Sequence, residues 1–122
     1  MNDLFLRTKL VSNMKKIAIP TDNNVSISEH FGKAKWFKIV EVEEDHVGSF
    51  KYVENQVKHN GTVHSHEEIV DTLKDCEVII ARDMGKKMQE ELQSMNKKIV
   101  FTSEIQMDLA VDSYIKGLTK TN

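Results

Sequence analysis

The sequence predicts an α/β fold with a mixed five-stranded sheet and helices on its faces. The first half holds three short runs rich in β-branched and aromatic residues, and the brief polar turn before the third run is typical of antiparallel strands. The second half alternates apolar runs with segments of helical periodicity, which is typical of parallel strands joined by helices. The predicted element order is therefore β-β-β-α-β-α-β-α.

Three strands are predicted in the first half. Their residues are mainly aromatic or β-branched, and the acidic residues at 43–45 form the turn between the second strand and the third. So short a connection favours an antiparallel meander. The predicted strands span residues 17–20, 36–42 and 46–53.

The second half is predicted to place two buried strands between helices. Ser65 and Glu68 form a capping box, in which an N-cap hydroxyl and a returning carboxylate satisfy free backbone N–H groups, so a helix begins there. The nearly continuous apolar runs at 77–81 and 98–101 predict strands that are covered on both faces. Methionine and leucine at helical spacing predict a helix over 83–95.

The last predicted element is a helix. Ser103 and Gln106 form a second capping box, and the apolar residues that follow share one helical face. Gly117 comes after this face and is predicted to end the helix as its C′ residue.

One domain is predicted, because 122 residues are too few for two ordinary domains. We place it at residues 14–118. Met14-Lys15-Lys16 has the character of a natural start, so residues 1–13 are interpreted as a loose tail or an upstream start and are excluded from the fold. Residues 119–122 are interpreted as a short tail.

The composition argues against several classes of function. A formal net charge of −2 gives no reason to expect nucleic acid or an anionic membrane as a partner. No apolar run approaches the ~20 residues of a membrane helix, and the first thirteen residues lack a signal peptide's apolar core. A single cysteine excludes an intrachain disulfide and a cluster held by four cysteines of one chain. We therefore expect a cytoplasmic protein.

The connection between the first two strands is the most informative part of the sequence. It is long for a turn and ends on His30, Phe31 and Gly32. An imidazole binds metals or protons near neutral pH, and a residue without Cβ lets a bulky group approach the backbone. The segment therefore predicts the lip of a binding site.

Three further histidines crowd one polar connection. His59, His64 and His66 lie close in sequence, and two histidines two residues apart can share a metal on an extended chain. The alternative is that they simply face water, as histidines in polar loops often do. A closed structural zinc site would need four good ligands.

The predicted helix start bears on what these histidines could hold. If Ser65 is the N-cap, His66 lies in the first helical turn, where free N–H groups favour an anion over a bare cation. A sulfide-rich metal cluster with net negative charge would suit this end better than Zn²⁺. Glu67 and Glu68 in the same turn already supply negative charge and compete with that role.

Other candidate ligands are weaker. Cys76 precedes a buried strand, where cysteine is often a small buried hydrophobe, although a thiol is also a soft metal ligand. Asp22, Glu29 and Asp83 could meet near strand ends and hold Mg²⁺, but acidic residues in turns are ordinary. No glycine-rich phosphate loop, nucleophile elbow or Cys-x-x-Cys pair is present.

Several segments together carry a resemblance to a known family. They are Met14-Lys15-Lys16-Ile17-Ala18-Ile19-Pro20-Thr21-Asp22, Glu29-His30-Phe31-Gly32-Lys33-Ala34, Val53-Glu54-Asn55, Val78-Ile79-Ile80-Ala81 with Met84-Gly85, and Ala110-Val111 with Tyr114 and Gly117. In these residues the chain resembles the dinitrogenase iron–molybdenum cofactor biosynthesis family. The resemblance covers residue 14 to about residue 118.

The resemblance implies a ribonuclease H-like motif and a role in handling a metallocluster. Family members include carriers of the nitrogenase cofactor or of its iron–sulfur precursors, and the match at His30 implies a cluster contact. The chain departs from the family pattern at Arg82-Asp83-Met84-Gly85, where a glycine-rich turn is common, and at His64-Ser65-His66, where small residues are common.

The leading hypothesis is a small, non-enzymatic binding or carrier protein for an iron–sulfur or iron–molybdenum type cluster. Its partners would be proteins that donate or accept the cluster. The candidate cofactor-binding residues are His30, Phe31, Gly32 and Asp22, and the candidate metal ligands are His30, His64, His66 and Cys76.

Two other functions stay open. A regulatory module for a single metal ion or small ligand would use the histidine trio. A metal-dependent nuclease is suggested only by the strand order, because two-metal catalysis needs more converging carboxylates than this chain offers.

Overall fold

A computed structural model describes residues 14–43, 46–55 and 66–120. This part of the chain forms the α/β fold with a mixed five-stranded sheet and flanking helices that the sequence predicts. Its elements in chain order are β1 (Met14–Thr21), a 3-10 turn (Phe31–Lys33), β2 (Trp36–Glu43), β3 (His46–Glu54), α1 (His66–Thr72), β4 (Val78–Ala81), α2 (Lys86–Ser94), β5 (Lys98–Phe101) and α3 (Met107–Lys120).

The sheet has the strand order β3-β2-β1-β4-β5. β1 pairs antiparallel with β2, β2 pairs antiparallel with β3, and the neighbours β1–β4 and β4–β5 are parallel. The strand direction therefore changes at β1. Because β1, β4 and β5 are parallel, their carboxyl ends meet at one side of the sheet, which we call the carboxyl edge.

Side chains of β1 alternate between two apolar cores. Ile17 and Ile19 pack on the side covered by α3, and Ala18 packs on the side covered by α1 and α2. All three are fully buried. A strand covered on both faces needs apolar residues at consecutive positions, which explains the unbroken apolar runs of β1 and β4.

The pairing of β1 with β4 is short. Its registered pairs are Ile17 with Val78 and Ala18 with Ile79. Pro20, further along β1, has no N–H to donate, and its carbonyl accepts the N–H of Ser28 at 2.8 Å. The loop after β1 therefore bonds to the end of that strand at the carboxyl edge.

Two predicted helix boundaries are wrong at their start. α2 begins at Lys86 and not at residue 83, because Gly85 is extended and the Asp83 carboxylate accepts the N–H of Met84 at 2.9 Å. α3 begins at Met107 and not after Ser103, because Gln106 forms a β-bridge with Ser26. A tertiary contact thus outweighs the second capping box.

The predicted end of the last helix is also wrong. α3 continues through Gly117 to Lys120, and Gly117 does not adopt the left-handed conformation of a C′ residue. A glycine lowers helix stability by about 1 kcal/mol relative to alanine, which does not by itself end a helix whose other face is buried.

No helix in the described ranges is long and apolar enough to cross a membrane. The predicted amino-terminal extension, residues 1–13, lies outside the described residues, as do residues 121–122 of the predicted tail.

Cys76 lies in the core beneath α1 and α2. It is 2% exposed, and burial raises the pKa of its thiol from 9.0 to about 11. The neutral thiol is therefore favoured in the folded protein, because burial disfavours the charged form.

This shift predicts a loss of stability at high pH. A raised folded-state pKa contributes stability that is present below pH 9.0 and is lost as the pH rises towards about 11. We expect the free energy of unfolding, measured by urea denaturation, to fall more steeply over this interval in the native protein than in Cys76→Ala. Parallel pH profiles for the two proteins would contradict the prediction.

Candidate functional site

The loop after β1 is held by its own side chains. The Thr21 hydroxyl donates to the carbonyl of Ser26 at 2.7 Å and accepts the N–H of Asn24 at 3.0 Å. The Asn23 side-chain oxygen accepts the N–H groups of Val25 and Ser26 at 2.9 and 2.8 Å. Asn24 has a left-handed φ of 67°, which asparagine tolerates better than most residues. These bonds explain why Thr, Asn and Ser crowd this segment.

His30 follows this rigid turn at the carboxyl edge. Its N–H donates to the Ser28 hydroxyl at 3.3 Å, and its carbonyl accepts the N–H of Lys33 at 3.0 Å, which starts the 3-10 turn. The backbone is thus fixed while the side chain is exposed. Its imidazole makes no hydrogen bond or ion pair with any residue that the structure describes.

Phe31 anchors the same turn from the inside. It is 3% exposed, and its ring packs against Phe37 of β2 with centroids 5.2 Å apart. The sequence predicts Phe31 as a possible cofactor contact; in the structure its ring is buried in the core next to His30, and its role as a contact stays a prediction.

Asn55 fixes the backbone beside His30. This buried side chain donates from Nδ2 to the carbonyl of Gly32 at 3.2 Å and to that of Ala34 at 2.8 Å. The sequence assigns Asn55 no role, since its partners lie more than twenty positions earlier. The available signals were its position just after the third predicted strand and its place in the segment Val53-Glu54-Asn55 that carries the family resemblance.

The backbone at Gly32 is less accessible to a ligand than the sequence predicts. Its carbonyl is bonded to Asn55, and a Cβ at this position would lie 3.9 Å from Cδ1 of Ile69 in α1. His66 is the first residue of α1, three positions or about 4.5 Å of helix before Ile69. The start of α1 therefore lies near the turn that carries His30.

The predicted histidine trio is only partly visible. His59 and His64 lie outside the described residues, and for His66 the structure describes the backbone alone. Their proposed role as metal ligands stays a prediction.

A shallow pocket of about 220 Å³ lies beside His30. Two acidic residues line it, and each is partly engaged: Asp22 Oδ1 accepts the N–H of Lys35 at 3.0 Å, and Glu29 Oε1 lies 3.5 Å from Arg82 Nη1. The lining residues are Asp22, Asn23, Ser26, Ile27, Ser28, Glu29 and His30.

The described ranges contain no group of three or more histidine, cysteine, aspartate or glutamate residues close enough to hold a metal ion. Asp22 and Glu29 share the pocket, but Asp83 does not line it. The carboxylate cluster that a nuclease would need is thus absent among these residues.

Cys76 is not brought to His30. Glu77, the next residue, donates its N–H to the carbonyl of Lys16 near the start of β1, whereas His30 follows the end of that strand. Thr21 lies five positions after Lys16, or about 17 Å along the strand. A buried thiol with a raised pKa at the opposite edge does not suit a ligand shared with His30.

Asn55 generates a testable prediction. We expect Asn55→Ala to lower the free energy of unfolding by about 1–3 kcal/mol, because two backbone carbonyls lose a buried donor. The measurement is urea denaturation, with the exposed neighbour Glu54→Ala as control. Equal stability of the two variants would show that the amide does not hold the turn.

Comparisons with known proteins agree with this fold. The uncharacterized protein MJ0580 of Methanocaldococcus jannaschii is 24% identical over 113 residues, covering 90% of this chain and 94% of that protein. A Thermotoga protein described as a candidate NifB protein superposes with a TM-score of 0.68 and 24% identity, covering 85% of this chain and 90% of that one. The apo form of the orange protein from Desulfovibrio gigas gives a TM-score of 0.62 at 18% identity, with 86% and 90% covered.

At such identities the solved structures establish the fold alone. The family assignment comes from a family model, described as dinitrogenase iron–molybdenum cofactor, which matches residues 14–117. The match spans most of the chain and includes the whole turn that carries His30. The resemblance read from the sequence is therefore confirmed, and the chain belongs to the dinitrogenase iron–molybdenum cofactor family.

Proposed function

We propose that this protein reversibly binds an iron–sulfur or iron–molybdenum type cluster, or a precursor of one, as a carrier and not as an enzyme. The observation that carries the proposal is the exposed imidazole of His30, fixed at the carboxyl edge in a family named for this cofactor. In open α/β sheets, ligands bind at this edge where the strand direction changes.

The rigidity of the turn supports a role in binding. Hydrogen bonds from Ser28 and Asn55 fix the backbone on both sides of His30, and Phe31 anchors it in the core. A side chain presented by a fixed backbone loses little conformational freedom when it binds cargo.

The small number of ligands supports a role in transfer. His30 is one nitrogen donor, and the remaining polar groups of the pocket are hard oxygens that iron–sulfur clusters do not prefer. Asp22 and Glu29 also repel an anionic cluster, which weakens the hold further. A carrier must release its cargo, and weak ligation serves that end.

A single bound metal ion is the second candidate. It is favoured by the acidic lining of the pocket, since Asp22 and Glu29 would attract a cation beside His30. The lack of a three-ligand group in the described ranges makes it the weaker candidate.

The proposal also covers the partners, the compartment and the fold label that the family resemblance implies. Proteins that donate or accept the cluster would be the partners, and the cytoplasm would be the compartment. A ribonuclease H-like label for the fold is supported by the order of three antiparallel strands followed by two parallel ones.

Reconstitution tests the cluster proposal. Apo-protein without a histidine tag is incubated anaerobically with ferrous iron and sulfide, and the visible absorption and the iron and sulfide contents are measured. We expect a sulfide-containing chromophore in the native protein and at least a tenfold loss of retained iron in His30→Ala, because the exposed imidazole that lines the described pocket is gone.

His46→Ala is the matched control, since His46 is an exposed histidine on β3, away from the pocket. It should retain the chromophore. Equal iron retention by the two variants would refute the role of His30, and metal bound without sulfide would favour the single-ion alternative.

A further inference from the structure

One corner of the molecule is formed by two chain segments that lie far apart in sequence. The loop after β1 pairs with the segment before α3: the N–H of Ile27 donates to the carbonyl of Ile105 at 2.7 Å, and the N–H of Met107 donates to that of Val25 at 3.0 Å. These bonds fix the two segments side by side at the carboxyl edge.

Three large apolar side chains at this corner face solvent. Val25 is 60% exposed, Ile105 is 56% exposed and Leu109 is 48% exposed. Val25 and Ile105 are each adjacent in sequence to a residue of the bridge between Ser26 and Gln106. Leu109 is in the first turn of α3, two residues after Met107. We call Val25, Ile105 and Leu109 the corner patch.

The segments that form this corner carry acidic side chains and no basic ones. Residues 17–32 and 99–115 contain no lysine or arginine, although the chain has 17 of them. Their five carboxylates are Asp22, Glu29, Glu104, Asp108 and Asp112. So uneven a distribution, in a chain of nearly balanced charge, contributes a negative potential at this corner, which the exposed Lys33 and Lys35 just beyond the first segment offset in part.

Cations from other elements neutralise this potential only in part. Asp22 and Glu104 have no ion-pair partner in the part of the chain that the structure describes. The other three carboxylates are exposed and are paired at the surface, where such pairs are weak and open to competition. The pairs are Arg82 with Glu29 at 3.5 Å, Lys38 with Asp108 at 3.9 Å, and Lys116 with Asp112 at 3.0 Å.

We propose that the corner patch docks a protein partner whose contact surface has an apolar centre and a rim of lysine and arginine. An exposed apolar cluster within a polar rim is typical of protein interfaces, and complementary charge orients the partner during encounter. A second copy of this chain would bring two acidic rims together, and an anionic membrane would be repelled by them.

The corner patch is continuous with the candidate site. Ser26 and Ile27 belong to the paired segment and also line the pocket beside His30. A docked partner would therefore lie next to the cargo position. That the partner donates or accepts the cargo rests on the proposed function, whereas the docking itself does not.

Peptide display on the apo-protein tests the docking. A random peptide library is selected against the immobilised native protein, and enriched peptides are synthesised and titrated by calorimetry. We expect peptides with net positive charge and bulky apolar residues. Leu109→Ser should weaken their binding at least tenfold, because anchors at the centre of an interface dominate its energy. Glu104→Gln with Asp108→Asn should weaken binding at low salt and flatten its salt dependence.

Met95→Ser is the matched control, because Met95 is 45% exposed at the end of α2, on the opposite face of the sheet. It should change binding less than twofold. Thermal unfolding of each variant checks that these exposed substitutions leave the fold intact.

Three results would overturn the proposal: no enrichment, enriched peptides that are neutral or acidic, or equal effects of Leu109→Ser and Met95→Ser. A dimer in sedimentation equilibrium that Leu109→Ser abolishes would also overturn it, by assigning the corner patch to a second copy. Since no cluster is present in these assays, loss of docking and failure to bind a cluster are separate outcomes.

Discussion

The burial of β1 between two strands of opposite direction is the constraint on which the structure depends. All eight of its residues pair with β2, and β4 pairs with its middle on the other side. Its central residues face two separate cores and are fully covered. A shift of this strand by one residue would exchange its two faces, so its register is fixed. The position of the loop that follows β1 is therefore fixed as well.

The candidate site lies in the loop after β1 and is held in place by this strand. In the turn after β1, the side chains of Thr21, Asn23 and Ser28 form hydrogen bonds with backbone N–H or carbonyl groups. Asn55, at the end of β3, donates to a further backbone carbonyl of this region. Among the described side chains of the pocket, the imidazole of His30 and two partly engaged carboxylates face outward. A site of this kind is open to solvent and does not enclose a ligand.

Much of the fold follows from local patterns. β-branched and apolar runs predicted all five strands, and a long polar connection that ends on an imidazole, an aromatic ring and a glycine indicated His30. The helix starts were less predictable. The capping box predicted at Ser103 does not start the last helix, because Gln106 pairs with Ser26 instead. This contact joins residues about eighty positions apart, which no local pattern predicts.

The site itself could be predicted only in part. His30 and Asp22 follow the same strand, so their shared pocket could be anticipated. The position of Cys76 could be predicted only by knowing that β4 runs parallel to β1. That pairing places Cys76, just before β4, at the end of the sheet opposite His30. The role of Asn55 could not be predicted from the sequence, because the pairing of β3 with β2 is what brings its side chain to the Gly32 carbonyl.

Pro20 has a consequence for how such a scaffold could be altered. It has no N–H to donate to a neighbouring strand, and its carbonyl accepts the N–H of Ser28, so the registered pairing of β1 with β4 stops before Pro20 and the loop bonds to β1 there. Residues 22–28 of the loop lie outside the pairing of β1, so they can be varied without removing a β1–β2 or β1–β4 pair. The loop that carries the candidate site and the strand that holds it are therefore specified by separate residues.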